Sequence, residues 1–87
     1  MDNETLDPYI VGEAIMEIRR RKGISQEEVS QAVDIGRSHL SAIECGRRKP
    51  TLETFYRIAC AMDVNMSEIV KEIEYKIDRN VKYKKQA

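Results

Sequence analysis

With 87 residues, 41% of them hydrophobic and 34% charged, the chain has room for one domain and one core and lacks the composition of a disordered segment. No apolar run approaches the roughly 18 residues that span a bilayer, and the acidic N-terminus has no signal-peptide core, so the chain is expected in the cytoplasm. Cys45 and Cys60 make no metal-ligand spacing and read as reduced thiols; no metal or cofactor is expected. The net charge is zero, which alone argues against a nucleic-acid partner, but the charge comes in blocks. Residues 1–16 carry −4, 17–24 +3, 25–35 −3, 36–50 +3, 51–78 −3 and 79–87 +4, so one face can be basic while the whole is neutral.

The chain divides into a flexible N-terminus (1–7), a helical domain (8–78) and a basic tail (79–87). Asp7-Pro8 reads as an N-cap with proline in the first turn. Val11, Ala14, Ile15 and Ile18 follow at helical spacing until Gly23 ends the helix. Ser25 with Glu28 three residues on forms a capping box for a second helix, whose apolar stripe is Val29 and Val33. Asp34-Ile35-Gly36 breaks the pattern, and a third helix runs from about Arg37 to Cys45 with Leu40 and Ile43 inward and Gly46 as its stop. After the basic loop Arg47-Arg48-Lys49-Pro50, Thr51 caps a fourth helix with Leu52, Phe55, Ile58, Ala59 and Met62 on its inner side. Asn65 with Glu68 suggests a further capping box, and the fifth helix carries Met66, Ile69, Val70, Ile73 and Ile77. No alternating strand pattern occurs, so the fold class is all-α with five helices.

The informative stretch is Gln26 to Cys45, QEEVSQAVDIGRSHLSAIEC. Two short helices are joined by about four residues, and Ser30 is small where two backbones could approach. Such a pair cannot bury two faces alone, so the first, fourth and fifth helices must close the core. The outward face of the third helix is then free and carries Arg37, Ser38, His39 and Ala42. Arg37, at its start, can donate two hydrogen bonds to guanine O6 and N7, and Ala42 offers a methyl suited to thymine.

This segment resembles the helix-turn-helix of the phage repressor and Cro family, also called the xenobiotic-response-element family. The resemblance runs from Ile15 to Val70 through Ile18, Arg19 and Gly23, Ser25-Gln26-Glu27-Glu28, Leu40-Ser41-Ala42-Ile43-Glu44, Gly46-Arg47-Arg48-Lys49-Pro50, Ile58-Ala59 and Val64-Asn65-Met66-Ser67-Glu68-Ile69. Four positions depart from the family pattern: Ser30 for alanine, Asp34 for glycine, Gly36 for a hydroxyl cap and Cys45 for a polar residue. Asp tolerates the left-handed conformation that the turn needs, and glycine at the cap removes a hydroxyl that could touch phosphate. The resemblance implies a five-helix domain like the lambda repressor's. Arg37, Ser38 and Ala42 would read base edges, with His39 a peripheral contact. Gln26 would clamp a phosphate, with Ser25, Arg47, Arg48 and Lys49 as further phosphate contacts that set register rather than sequence. It also implies a buried ion pair between Arg19 and Glu44.

Met66, Val70, Ile73 and Ile77 recur in 4-3-4 steps, a heptad-like spacing over few turns. Val70, Ile73 and Ile77 are the expected seam of a homodimer, which a domain this small would gain from. The tail from Arg79 to Lys85 reads as a solvated end or as added phosphate contacts. Cys60 falls one turn after Tyr56, off the main stripe of the fourth helix. Two functions fit: a regulator, expected to be a repressor, that binds double-stranded DNA as a dimer on a two-fold operator, or a protein-interaction module of the same fold, such as an antitoxin or a subunit docking on another regulator through its C-terminal helix. An enzyme is not expected, since there is one histidine, no nucleophile–base pairing and no glycine-rich phosphate loop.

Overall fold

A computed structural model describes residues 5–86, with side chains described through Arg79. Five helices follow one another: α1 (Pro8–Arg21), α2 (Gln26–Val33), α3 (Arg37–Glu44), α4 (Leu52–Ala61) and α5 (Met66–Gln86). No strand occurs among the described residues. The expected flexible segment 1–7 lies mostly outside the described residues. The expected boundary at 79 is not a break in the backbone, because α5 runs on to Gln86.

The helix starts follow the local chemistry. The Asp7 carboxylate accepts from the Tyr9 N–H at 2.9 Å, with Pro8 in the first turn. Ser25 and Glu28 form a complete capping box, at 3.0 Å and 2.8 Å. Its bond from the Ser25 backbone holds the Glu28 carboxyl below its usual pKa. Thr51 accepts from the Thr54 N–H at 3.1 Å. Before α5, Glu68 accepts from the Asn65 N–H at 2.9 Å. Four helix exits share one geometry. Gly23, Asp34, Gly46 and Asp63 are left-handed, with φ of 69°, 65°, 81° and 59°. The residues after them, Ile24, Ile35, Arg47 and Val64, donate back to the carbonyls of Arg19, Ser30, Ala42 and Ala59, closing Schellman-type turns. Ile24, Ile35 and Val64 then pack against the core.

α1 packs on α3 and α5, α2 packs on α3 and α4, and α4 packs on α5. Ile15, Leu40, Ile43, Ile58, Met62 and Ile69 are fully buried where these helices meet. Three expectations are corrected at the edges of this core. Leu52 is 75% exposed and Val70 40% exposed, although both were expected inside. Ile73, expected on a dimer seam, belongs to the monomer's own core, with Ile77 half-buried against it. Because α5 lies along α1, the line Ile69–Ile73–Ile77 is turned inward, which leaves Val70 at the rim.

Gly12, in the middle of α1, was not singled out by sequence. A Cβ there would collide with the backbone carbonyl of Ile43 and would stand 2.6 Å from that of Glu44. Glycine therefore lets α1 lie directly against the end of α3. On propensity alone Gly12→Ala would stabilise a helix by about 1 kcal/mol. Here it is expected to destabilise by about 1–3 kcal/mol through overpacking against backbone, so the sign of the shift in a thermal melt decides the matter.

α5 is tied to α1 by charge as well as by packing. The Lys76 ammonium lies 3.0 Å from Glu17, 3.6 Å from Glu13 and 3.9 Å from Glu72, and Arg21 lies 3.6 Å from Glu17 and 3.4 Å from Glu72. The Lys76 hydrogen bond, helped by the charges of Lys76 and Arg21, holds the Glu17 carboxyl below its usual value. Burial works against the charged Lys76, but its carboxylate partners outweigh it and raise its pKa. A carboxylate with a depressed folded pKa contributes stability above its unfolded pKa, and this is lost as pH falls through the folded value. Glu17→Gln is expected to lower stability near neutral pH and to flatten its decline between about pH 5 and about pH 3, as read by melts across that range. Equal slopes for both proteins would remove this role.

Candidate nucleic-acid interface

The third helix is short, and its placement is fixed from three sides. The Arg19 guanidinium, on α1, grips the Glu44 carboxylate through two bonds of 2.7 Å and 3.0 Å and donates a third, at 2.9 Å, to the Ile24 carbonyl. Both residues are buried, at 8% and 3% exposure. Gln26, at the start of α2, adds a bond of 2.8 Å from its amide to the same carboxylate. A buried charge pair with its remaining donors and acceptors occupied locks orientation. One carboxylate on α3 thereby joins the end of α1 and the start of α2. The resemblance implied the Arg19–Glu44 pair; Gln26 as its third member was not foreseen. Its amide N–H donor faces Glu44, so the expected phosphate clamp is occupied within the domain itself. The Gln26 amide oxygen makes no bond among the described residues, but an oxygen offers nothing to a phosphate.

Held this way, α3 presents its N-terminal turn outward. Arg37 and Ser38 are exposed and His39 is half-buried. Gly36 supplies no side-chain cap, so the first-turn N–H groups face out with the positive end of the helix dipole. Gly36 has an ordinary backbone conformation and open space around it; its own domain does not require glycine there.

Ala42 is corrected. It is 9% exposed, not part of a free outward face. The chain after α3 folds back so that the Arg47 and Arg48 N–H groups both donate to the Ala42 carbonyl, at 2.8 Å and 3.3 Å, and a methyl is too short to emerge past its neighbours.

The same turn sets out the cations. Gly46 is required there, because a Cβ would stand 2.7 Å from the Cα of Tyr9. Arg47, Arg48 and Lys49 follow it, all exposed, and none makes an ion pair among the described residues. The Ser25 hydroxyl accepts the Glu28 N–H as a cap, which leaves its own proton free to donate outward. The structure thus leaves Arg37, Ser38, Ser25, Arg47, Arg48 and Lys49 on the surface, and withdraws Gln26 and Ala42. Cys45 and Cys60 are exposed free thiols. Among the described residues, no helix is long and apolar enough to cross a membrane.

A family model described as Helix-turn-helix matches residues 15–69, and the chain belongs to that family, in its phage-repressor-like branch. It is 41% identical over 61 residues to the uncharacterized HTH-type transcriptional regulator y4dJ of Sinorhizobium fredii, covering 70% of this chain and 79% of that one. It is 33% identical over 70 residues to the cryptic phage CTXphi transcriptional repressor RstR of Vibrio cholerae, covering 80% of this chain and 63% of the repressor. Among solved structures, the restriction-modification controller protein C.AhdI from Aeromonas hydrophila superimposes with a TM-score of 0.70 at 29% identity, over 75% of this chain and 98% of that one.

Proposed function

We propose that this chain is a sequence-specific DNA-binding regulator, acting as a repressor, which inserts α3 into the major groove and binds a two-fold operator as a homodimer. The observation that carries the reading is the exposed pair Arg37 and Ser38 on the first turn of a helix whose far end is clamped by the buried Arg19–Glu44–Gln26 network. Arg37 reads a guanine edge through two donors and Ser38 contacts the neighbouring base. Ser25, Arg47, Arg48 and Lys49 grip sugar-phosphate on either side and fix register. The protein works on DNA in the cytoplasm, where Cys45 and Cys60 stay reduced, and performs no catalysis.

Similarity to a phage repressor and to an HTH-type regulator supports the regulatory role. Selection of bound molecules from random duplex DNA tests it. The expected product is an inverted repeat with half-site centres about 34 Å apart, one turn of the duplex. Affinity should also fall steeply with salt as counterions are released. A selection that returns no enriched sequence, with weak and nearly salt-independent binding to every duplex, would refute it.

A further inference from the structure

The polar face explains α3 and the loop beyond it but leaves an apolar surface unused. Leu6, Leu52 and Val70 are large aliphatic side chains left 50%, 75% and 40% exposed. All three border one hollow of about 360 Å³, walled by Val11, Phe55 and Ile73. Lys49 is the single charged residue in its lining.

We propose that this hollow is the docking surface for a second copy of the chain, related by a two-fold axis, with Leu52 of each protomer seated in the hollow of the other. Three observations favour that occupant. A two-fold contact uses one patch against itself and so must be self-complementary; this patch holds a projecting side chain and an opening side by side. A cavity of about 150 Å³ accommodates benzene, so the hollow has space for a leucine side chain and part of its neighbour. A pocket for a small apolar ligand would shelter its walls, whereas Leu52 stands out from the surface at 75% exposure. The surface also carries both signs of charge, Lys49 at the rim and the exposed Glu53 next to Leu52, so a second copy need not set like charge against like.

The hollow adjoins the basic loop, since Lys49 and Pro50 lie in its lining. A two-fold axis there brings the two loops together near the centre of the assembly. This deepens the DNA-binding reading by naming its partner, and it replaces the seam expected at Ile73 and Ile77.

Sedimentation equilibrium without DNA tests the proposal independently of any operator. The wild type is expected to be a dimer in the micromolar range. Leu52→Asp and Val70→Asp are expected to weaken association by about a hundredfold or more, each substitution acting twice across the axis. Melts and circular dichroism confirm that each variant folds, and Leu52→Ser replaces the aspartate variant if that one does not. A wild type that stays monomeric at high concentration, or a folded Leu52 variant that dimerises as tightly as the wild type, overturns the proposal. Dimers that depend on Leu52 but bind no DNA would uphold this surface and defeat the operator reading; operator binding with Leu52-independent dimers would do the reverse.

Discussion

Replacing Arg19 by alanine is expected to destabilise the domain by about 3–5 kcal/mol, because the Glu44 carboxylate would remain buried without its counter-charge. The structure gives specific reasons for the upper part of that range. Glu44 is 3% exposed, so water cannot take the place of the lost guanidinium. Arg19 also serves the Ile24 carbonyl just past the end of α1, so two acceptors lose donors together. A domain of this size has only about 5–15 kcal/mol of stability in total, and each kcal/mol moves its melting point by about 4–8 °C. A fall of well over 10 °C is therefore expected in a thermal melt. Glu44→Ala should behave similarly by stranding the arginine. The double variant Arg19→Met with Glu44→Met should recover much of the loss, since a buried pair exchanged for apolar side chains is often nearly neutral. A single variant that melts within a few degrees of the wild type would show that the pair is solvated and does not hold α3 in place.

Replacing Arg37 by alanine is expected to erase discrimination at one base pair of each half-site, at about 1–3 kcal/mol per half-site. Because a two-fold operator contains the contact twice, specific affinity should fall by about 2–6 kcal/mol. Nonspecific binding should lose little, with the salt slope reduced by about one for each arginine removed. Arg48→Ala should differ in kind. As a phosphate contact it would weaken binding to specific and nonspecific duplexes alike. Competition titrations on the selected operator and on the same duplex with that base pair changed separate the two. If Arg37→Ala weakens both duplexes equally, the arginine touches phosphate and the assignment of base reading is lost. His39, half-buried beside it, is expected to make a much smaller difference.

Features that depend on a few neighbouring residues could be read from the chain. Asp7-Pro8, Ser25 with Glu28 and Thr51 cap where expected, because capping is settled within one helical turn. Asp34 adopts the left-handed turn for the same local reason, and Asp63 does likewise at the end of α4, where sequence gave no warning. Periodicity found the middle of each apolar stripe but not its edges. Leu52 and Val70 satisfy a 3.6-residue pattern, yet no neighbouring helix covers them, whereas Ile73 is covered because α5 lies along α1. Ala42 failed for a related reason: spacing places it toward the outward side of α3, but the returning chain and its short side chain take it out of reach. Gly12 was invisible because its need for hydrogen arises from carbonyls 31 and 32 residues away. Gln26 looked like a surface amide until the buried Glu44 carboxylate was seen to claim it.

The most direct test of how this domain meets DNA is a titration of isotope-labelled protein with the selected operator, followed by backbone amide chemical shifts. The largest changes are expected at Arg37, Ser38 and the N–H groups of Arg47, Arg48 and Lys49, with lesser ones at Ser25. Changes concentrated on the outer side of α4, around Tyr56 and Cys60, with residues 37 and 38 undisturbed, would mean that α3 is not the element entering the groove.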